Sequence, residues 1–288
     1  MRLIAILLAL WANHHPERID RWRRPEPFLH YLSWVCDRWP EAQERDGLLR
    51  LAAILLPPLL LFLIIQILLD GWLFGIAEIL LGFWALLFLH GPGRTDDQLD
   101  DFIKACQERH LGAAQGLAAD LAERDSYVEL SHAELPKMAT EGLLWQTYRR
   151  ILSGLFWLLL LGPIGPVAVR LAALTAATAR SEDSNLAYYS ERLLHLIDWL
   201  PARAAALSFA LVGSFVEARE AWQDAQQTSP DARSLIVSTG VGALDLDEWS
   251  EDPDDMVEII QTTRELAGRS LMIWIAIAAL LTIAGWLY

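Results

Sequence analysis

The sequence has 288 residues, 54% of them hydrophobic, and a mean hydropathy of +0.27, which is too apolar for an ordinary soluble domain. Its formal net charge of -14 excludes nucleic-acid binding, because a binder needs basic residues to neutralise phosphates. We therefore predict an all-α integral membrane protein. It should have about four membrane-embedded helical segments, one of them broken by Gly and Pro, and additional cytoplasmic helices.

Residues 1–48 form a basic amphipathic N-terminal region in which arginines are interleaved with tryptophans. Its apolar stretch 1–11 is shorter than the roughly 20 residues that a spanning helix needs, and no small-residue cleavage site follows it. Tryptophan prefers the level of the lipid headgroups, and arginine beside a first span favours the cytoplasmic side. The pattern predicts a helix at the membrane surface.

A transmembrane hairpin is predicted over 49–90, with spans at 49–69 and 72–90. Glu78 lies near the middle of the second span. An acidic residue at that depth is a candidate functional residue that faces the helix bundle. The alternative is a protonated or hydrogen-bonded packing residue.

A polar helical region is predicted over 91–150, in which 95–125 reads as two soluble helices. A broken membrane segment follows at 151–177. Gly162 and Pro163 begin the interruption of its apolar run. The segment is either one kinked span or a re-entrant pair of half-helices, because backbone groups freed by proline need partners in protein or water.

The remaining chain divides into a polar helical and loop region at 178–269 and a C-terminal transmembrane helix at 270–288. A helix is predicted over 252–268. The acidic cluster around it indicates a solvated loop or, less often, a cation site. If the broken segment re-enters the membrane, 91–150 and 178–269 lie on the same side, and we favour this shared cytoplasmic placement.

The sequence contains no repeat and none of the phosphate-binding, dinucleotide, nucleophile-elbow or zinc-protease motifs. The cysteines Cys36 and Cys106 are far apart, and nothing completes a metal shell around His14 and His15. The residues therefore predict no metal site, and they do not indicate a particular cofactor or reaction.

One set of motifs flanks the broken run: a Leu-Trp pair before it and the string LLHLIDWLPARAAALSFALVG after it. The residues that carry the pattern are Leu144, Trp145, Asp198, Trp199, Pro201 and Arg203. This pattern resembles the AmpE family over roughly 140–225. The resemblance implies a bacterial inner-membrane protein assigned to the regulation of inducible β-lactamase, and hence to antibiotic resistance, as a sensor or signal transducer.

A second set of motifs covers more of the chain. It comprises Arg124, Asp125, Glu141, Arg170, Arg192, Pro201 and Arg203. These residues resemble, more distantly, the CobD/CbiB membrane enzymes of cobalamin biosynthesis. The resemblance implies an enzyme that joins an aminopropanol side chain, or its phosphate, to a corrinoid carboxylate as an amide.

Several acids and amides that this second resemblance implies are absent. The residues in their places are Trp145, Gln146, Arg149, Ala173, Ala176, Leu194 and His195. Amide formation of this kind needs carboxylate activation, normally with a metal ion. The losses argue against that chemistry and favour a binding protein over an enzyme.

The resemblance leaves a set of arginines, whose forked side chains suit carboxylate or phosphate. The candidate anion-binding residues are Arg124, Arg149, Arg170, Arg192 and Arg203. The candidate supporting residues are Asp125, Glu141, Asp198, Trp199, Pro201 and Glu78. For each arginine the alternative role is a structural salt bridge.

We expect a multi-pass inner-membrane protein, in contact with the lipid bilayer, whose arginine-lined cavity binds an anionic small molecule. A cell-wall recycling fragment or a nucleotide would fit a sensor of β-lactamase induction. One alternative is an amide-forming or phosphate-handling enzyme related to adenosylcobinamide-phosphate synthase, with a cation held by residues such as Asp183. The other is a transporter that uses Glu78 and the broken helix.

Overall fold

The computed structural model describes residues 2–13, 24–39, 46–69, 75–90, 95–123, 134–182, 184–228, 231–246 and 248–286. Every regular element in these ranges is helical, which confirms the predicted all-α class. The α-helices are α1 Arg2–Asn13, α2 Glu26–Arg38, α3 Asp46–Leu69, α4 Ile76–His90, α5 Thr95–Gln107, α6 Leu111–Ala122, α7 Glu134–Thr147, α8 Ser153–Leu161, α9 Ile164–Glu182, α10 Ser184–Val212, α11 Phe215–Thr228, α12 Ala232–Leu244 and α13 Pro253–Ile283. A π-helical turn, Tyr148–Leu152, joins α7 to α8.

Within the described ranges, two helices are long and apolar enough to cross a membrane, Gly47–Leu69 in α3 and Pro253–Ile283. Shorter apolar helices are Arg2–Ala12, Ile76–His90, Ile164–Ala179 and Ala232–Leu244. A bilayer core needs about 20 helical residues, and the described part of α4 has 15 while α8 has 9. Two membrane-spanning candidates are therefore present, and the predicted total of about four stays a prediction.

The broken run is a pair of helices that fold back on each other. Gly162 has a φ of +77°, a left-handed conformation that favours glycine, and Pro163 has no amide hydrogen to continue α8. A Cβ atom placed on Gly165 would lie 2.4 Å from the carbonyl oxygen of Trp157, so α9 returns along α8. The predicted interruption is therefore present, and the choice between one kinked span and a re-entrant pair of half-helices stays a prediction.

The C-terminal region differs from the sequence prediction, because the helix predicted at 252–268 and the span predicted at 270–288 form one helix, α13. Gly268 lies between them, and a Cβ atom there would meet nothing within 4 Å. A single glycine in a helix costs about 1 kcal/mol relative to alanine and does not end the helix without a proline or a cap.

The chain divides into two compact units. The first, which we call the apolar unit, comprises Met1–Pro92, Ser153–Pro201 and Ile275–Tyr288. The second, which we call the polar unit, comprises Gly93–Leu152 and Ala202–Trp274.

In the apolar unit, α1 and α4 run parallel. Arg2 lies beside Glu78, and one turn further on, a Cβ atom placed on Gly82 would lie 3.1 Å from the Cβ atom of Ala5. α2 is attached to α3 through the Tyr31 hydroxyl, which donates to the carbonyl oxygen of Ala53 at 2.7 Å. Apolar side chains of α2, α3, α4 and α9 fill the space between these helices.

In the polar unit, the core is built from α5, α6, α7 and the first half of α13. Phe102, Leu121 and Ile260 are fully buried in it. Cys106 belongs to the same core as a free thiol, and burial raises its pKa to about 11. The Cys106 thiol therefore stays protonated at neutral pH.

The start of α11 is held by two hydrogen bonds from Ser214. The Ser214 hydroxyl donates to the Glu217 carboxylate, and the Ser214 amide donates to the carbonyl oxygen of Ala243 at 2.8 Å. The hydrogen bond from Ser214 lowers the pKa of Glu217 below its ordinary value. A carboxylate with a lowered folded-state pKa stabilises the fold above its unfolded pKa, and this contribution is lost as the pH falls through the folded pKa.

We expect Glu217→Gln to lower the melting temperature slightly at pH 7. The difference from the native protein should shrink as the pH falls below about 4.3, the ordinary pKa of a glutamate, and vanish below the folded pKa. Melting curves between pH 3 and pH 7 measure this, with Glu220→Gln, an exposed glutamate of the same helix, as the control. A difference that grows towards low pH would contradict the assignment.

Candidate functional site

The C-terminal end of α6 collects side chains from several parts of the polar unit. α6 ends at Ala122, and its C-cap residue, Glu123, has a left-handed φ of 54°. Carbonyl groups in the last turn of a helix have no partner within the helix and need other donors. Gln146 Nε2 donates to the carbonyl oxygen of Leu121 at 2.7 Å, and an Arg233 nitrogen donates to that of Ala122 at 2.7 Å. Side chains of α7 and α12 thus cap α6.

Arg149 completes this arrangement from the π-helical turn. Its two terminal nitrogens donate to both carboxylate oxygens of Glu123, one of them at 2.8 Å. Both side chains are partly exposed, so the pair is worth about 1 kcal/mol or less. Arg149 was predicted as an anion-binding residue, and the carboxylate that it holds here belongs to the protein.

The aromatic neighbours belong to the same site. The Arg233 guanidinium lies 5.8 Å from the centre of the Trp145 ring, within the range of a cation–π interaction. Trp145 also packs against the buried ring of Tyr148, with 5.4 Å between ring centres. Trp145, Gln146 and Arg149 are the three successive departures from the CobD/CbiB pattern in this region. Each of them contacts a structural partner.

The other predicted arginines are divided between the two units. Arg203 belongs to the polar unit with Arg149, whereas Arg170 and Arg192 belong to the apolar unit. Arg170 and Arg203 are half-buried, and Arg192 is exposed and donates to the Tyr188 hydroxyl at 3.0 Å. Arg124 and Asp125 lie outside the described residues, directly after the α6 end. The predicted arginine-lined cavity stays a prediction.

The predicted supporting residues lie on α7 and α10. Glu141 is partly buried on α7 in the polar unit, one residue before Gly142. Asp198 and Trp199 belong to the apolar unit, where Asp198 is partly buried and Trp199 is 50% exposed. Pro201 is buried inside α10, at the boundary between the units. Their supporting role stays a prediction.

Glu78 has a cationic neighbour that the sequence analysis missed. Glu78 lies in the first turn of α4 and not near the middle of a span. Its carboxylate is 3.7 Å from Nε of Arg2, which lies on α1. The two side chains are only 20% and 18% exposed. Arg2 also donates from Nη1 to the carbonyl oxygen of Leu159, at the end of α8, at 2.7 Å. An arginine inside an otherwise apolar N-terminal helix was the signal in the sequence.

No group of three or more His, Cys, Asp and Glu side chains gathers around a common point in the described ranges. The arrangement at the end of α6 consists of hydrogen-bond donors and cations, from Gln146, Arg149 and Arg233, and one carboxylate, that of Glu123. Such a set can bind anions and cap carbonyl groups.

Comparison with known proteins agrees with the two resemblances. "Protein AmpE" of Shigella flexneri is 29% identical over 234 residues, covering 75% of this chain and 78% of that protein. "Cobalamin biosynthesis protein CobD" of Chromobacterium violaceum is 28% identical over 221 residues, covering 67% and 68%. The CobD protein of Stutzerimonas stutzeri is 29% identical over 181 residues, covering 60% and 56%. No solved structure gives a significant match.

A family model described as "Regulatory signalling modulator protein AmpE" matches residues 1–288. Since this match covers the whole chain, the protein belongs to the AmpE family.

Proposed function

We propose that the protein is an inner-membrane regulatory component that acts in β-lactamase induction or cell-wall recycling and does not carry out amide formation. The observation that supports this most directly is the use of Gln146 and Arg149 at the end of α6. Gln146 donates to the carbonyl oxygen of Leu121, and Arg149 donates hydrogen bonds to both carboxylate oxygens of Glu123.

The chemical argument rests on what these positions supply. An amide-forming enzyme of the CobD/CbiB type needs carboxylates that activate the acid and neutralise phosphate, normally through a metal ion. Trp145 and Arg149 stand where that pattern has two acids, and an indole gives a cation no ligand while a guanidinium repels it. The family description, a regulatory signalling modulator, agrees with a protein that binds and signals.

A multi-pass membrane position is part of the proposal. The outer face of α3 carries exposed leucines and isoleucines, among them Leu61 at 61%, Ile67 at 64% and Leu68 at 74% exposed. Apolar surface of this extent is unfavourable in water by about 25 cal/mol per Å² and is suited to lipid. Because Gly93–Leu152 and Ala202–Trp274 fold into one unit, a bilayer cannot separate them, and we place both on the cytoplasmic side.

The cellular experiment is deletion of the gene in a host with inducible β-lactamase. We expect induced β-lactamase activity to change several-fold and to be restored by the native gene. The same gene should fail to restore corrinoid amide formation in a strain that lacks its amide-forming enzyme. Restoration of that product would favour the second candidate, an enzyme, which the two CobD relatives support.

For ligand binding, we expect one class of anion to raise the melting temperature of the detergent-purified protein. The screen compares nucleotides, muropeptides, corrinoids and amino-alcohol phosphates, with Arg170→Ala and Arg203→Ala tested separately because these residues lie in different units. Loss of the shift in one variant would locate the site. Arg219→Ala, an exposed arginine on α11, is the matched control. An unchanged shift in both variants would remove these arginines from the proposed site.

A further inference from the structure

Polar side chains from three helices converge at one end of the apolar unit. α1 and α4 begin there with Arg2 and Glu78, and α3 ends there with Gln66. Gln66 is the only polar residue of the sequence between Leu51 and Leu69. Polar groups in an apolar helical unit are unfavourable unless they are paired or functional, so this end needs an explanation.

Two nitrogen donors lie around the same point. Gly162 has no side chain, and a Cβ atom placed on it would lie 3.3 Å from Nε2 of Gln66 and 3.4 Å from Nη2 of Arg2. α9 begins two residues later, so the positive end of its helix dipole is at the same place. Nε2 of Gln66 and Nη2 of Arg2 therefore lie close to each other against Gly162, and both side chains are partly exposed, so an anion that approaches from outside can reach both donors.

The rest of the cluster orients these donors. The carbonyl oxygen of Leu159 accepts from Nη1 of Arg2, and the Glu78 carboxylate lies beside Nε. Nη2 is thereby directed towards Gly162. Oε1 of Gln66 is buried and has no hydrogen-bond partner among the described residues, as is true of Nε of Arg2. Since Glu78 offsets the charge of Arg2, attraction of an anion depends on the directed donors and the helix dipole.

Exposed apolar side chains lie at the same end of the apolar unit as the cluster, each within two residues of one of its members along the chain. They are Ile4, Leu68, Ile76, Leu160 and Leu161, between 49% and 74% exposed. A free anion in water gains nothing from contact with this apolar rim. An anionic headgroup attached to hydrocarbon chains matches both parts, since the headgroup can reach the donors while the chains cover the rim.

We propose that Arg2 and Gln66 bind the phosphate group of an anionic amphiphile beside Gly162, with its hydrocarbon chains along the exposed apolar side chains at this end of the unit. This rests on the membrane position proposed above and not on the role in β-lactamase induction. Phosphate is the favoured anion because the guanidinium fork matches its oxygens.

The test titrates the full-length protein, purified in a non-ionic detergent, with dihexanoyl phosphatidic acid and follows the melting temperature. We expect a saturable rise that dihexanoylglycerol, which has the same chains without phosphate, does not give. Inorganic phosphate in a parallel titration distinguishes the source. A response to phosphatidic acid but not to inorganic phosphate would show that the site binds an amphiphile. An equal response to inorganic phosphate would show that the site binds phosphate without the hydrocarbon chains, and would overturn the proposal of an amphiphile.

Gln66→Glu is the decisive variant, because it keeps the shape of the side chain and places a carboxylate beside Arg2. The unliganded protein should melt at the same temperature or higher, while the affinity for phosphatidic acid falls about tenfold or more. Gln261→Glu, an exposed glutamine on α13, is the matched control and should bind normally. Arg2→Gln serves as the second variant if Gln66→Glu does not fold.

Equal binding by Gln66→Glu and the native protein, or an equal response to dihexanoylglycerol, would overturn the proposed site. The readout is binding to purified protein. Its failure would therefore leave the induction experiment in cells, and the proposed function that it tests, unaffected.

Discussion

Replacing Gly142 with alanine is expected to lower the free energy of unfolding by about 1–3 kcal/mol, the usual range for overpacking a closed contact. A Cβ atom at this position would lie 2.6 Å from the carbonyl carbon and oxygen of Leu121 and 2.7 Å from the amide nitrogen of Ala122. The backbone of α6 cannot withdraw without loosening the caps from Gln146 and Arg233. The melting temperature of the purified protein measures the effect.

Gly116→Ala is the matched control within the same pair of helices. Gly116 lies on α6, and a Cβ atom there would meet nothing within 4 Å. Alanine is favoured over glycine inside a helix by about 1 kcal/mol, so this variant should melt at a higher temperature than the native protein. Gly142→Ala should melt at a lower one. Equal melting temperatures for the two variants would show that α6 and α7 do not approach this closely.

The elements that local chemistry determines could be predicted from the sequence. The two helices expected within 95–125 are α5, Thr95–Gln107, and α6, Leu111–Ala122. The interruption at Gly162 and Pro163 is present because a missing amide hydrogen and a left-handed φ end a helix whatever surrounds it. The two membrane-crossing candidates overlap the apolar runs predicted as spans at 49–69 and 270–288, for which the length of the run is the signal.

Features that depend on tertiary contacts could not be predicted. The sequence places Arg2 and Glu78 76 positions apart, and only the parallel packing of α1 and α4 brings them together. The role of Gln146 follows from the end of a different helix, where Leu121 needs a donor. Resemblance to an enzyme family marked Gln146 as a departure, and the structure shows what the replacement does.

Replacing Glu78 with leucine is expected to destabilise the protein by about 2 kcal/mol, because it leaves the largely buried Arg2 guanidinium without its carboxylate. The cost lies below that of a fully buried pair, since both side chains keep some exposure and are separated by 3.7 Å. The double variant Arg2→Leu with Glu78→Leu should recover most of the loss, as two apolar side chains replace the charges. Melting temperatures of the two single variants and the double variant form the cycle that measures the coupling.

The exposed pair Arg24 and Glu26 provides the comparison, because it joins the same residue types at 4.0 Å in the same unit, with side chains 64% and 52% exposed. Its cycle should give a coupling of less than about 0.5 kcal/mol. A larger coupling for Arg2 and Glu78 follows if water is excluded from the end of the apolar unit. An equally small coupling for both pairs would mean that water reaches Arg2 and Glu78 freely. The donors beside Gly162 would then be hydrated, and a phosphate would gain little by replacing that water.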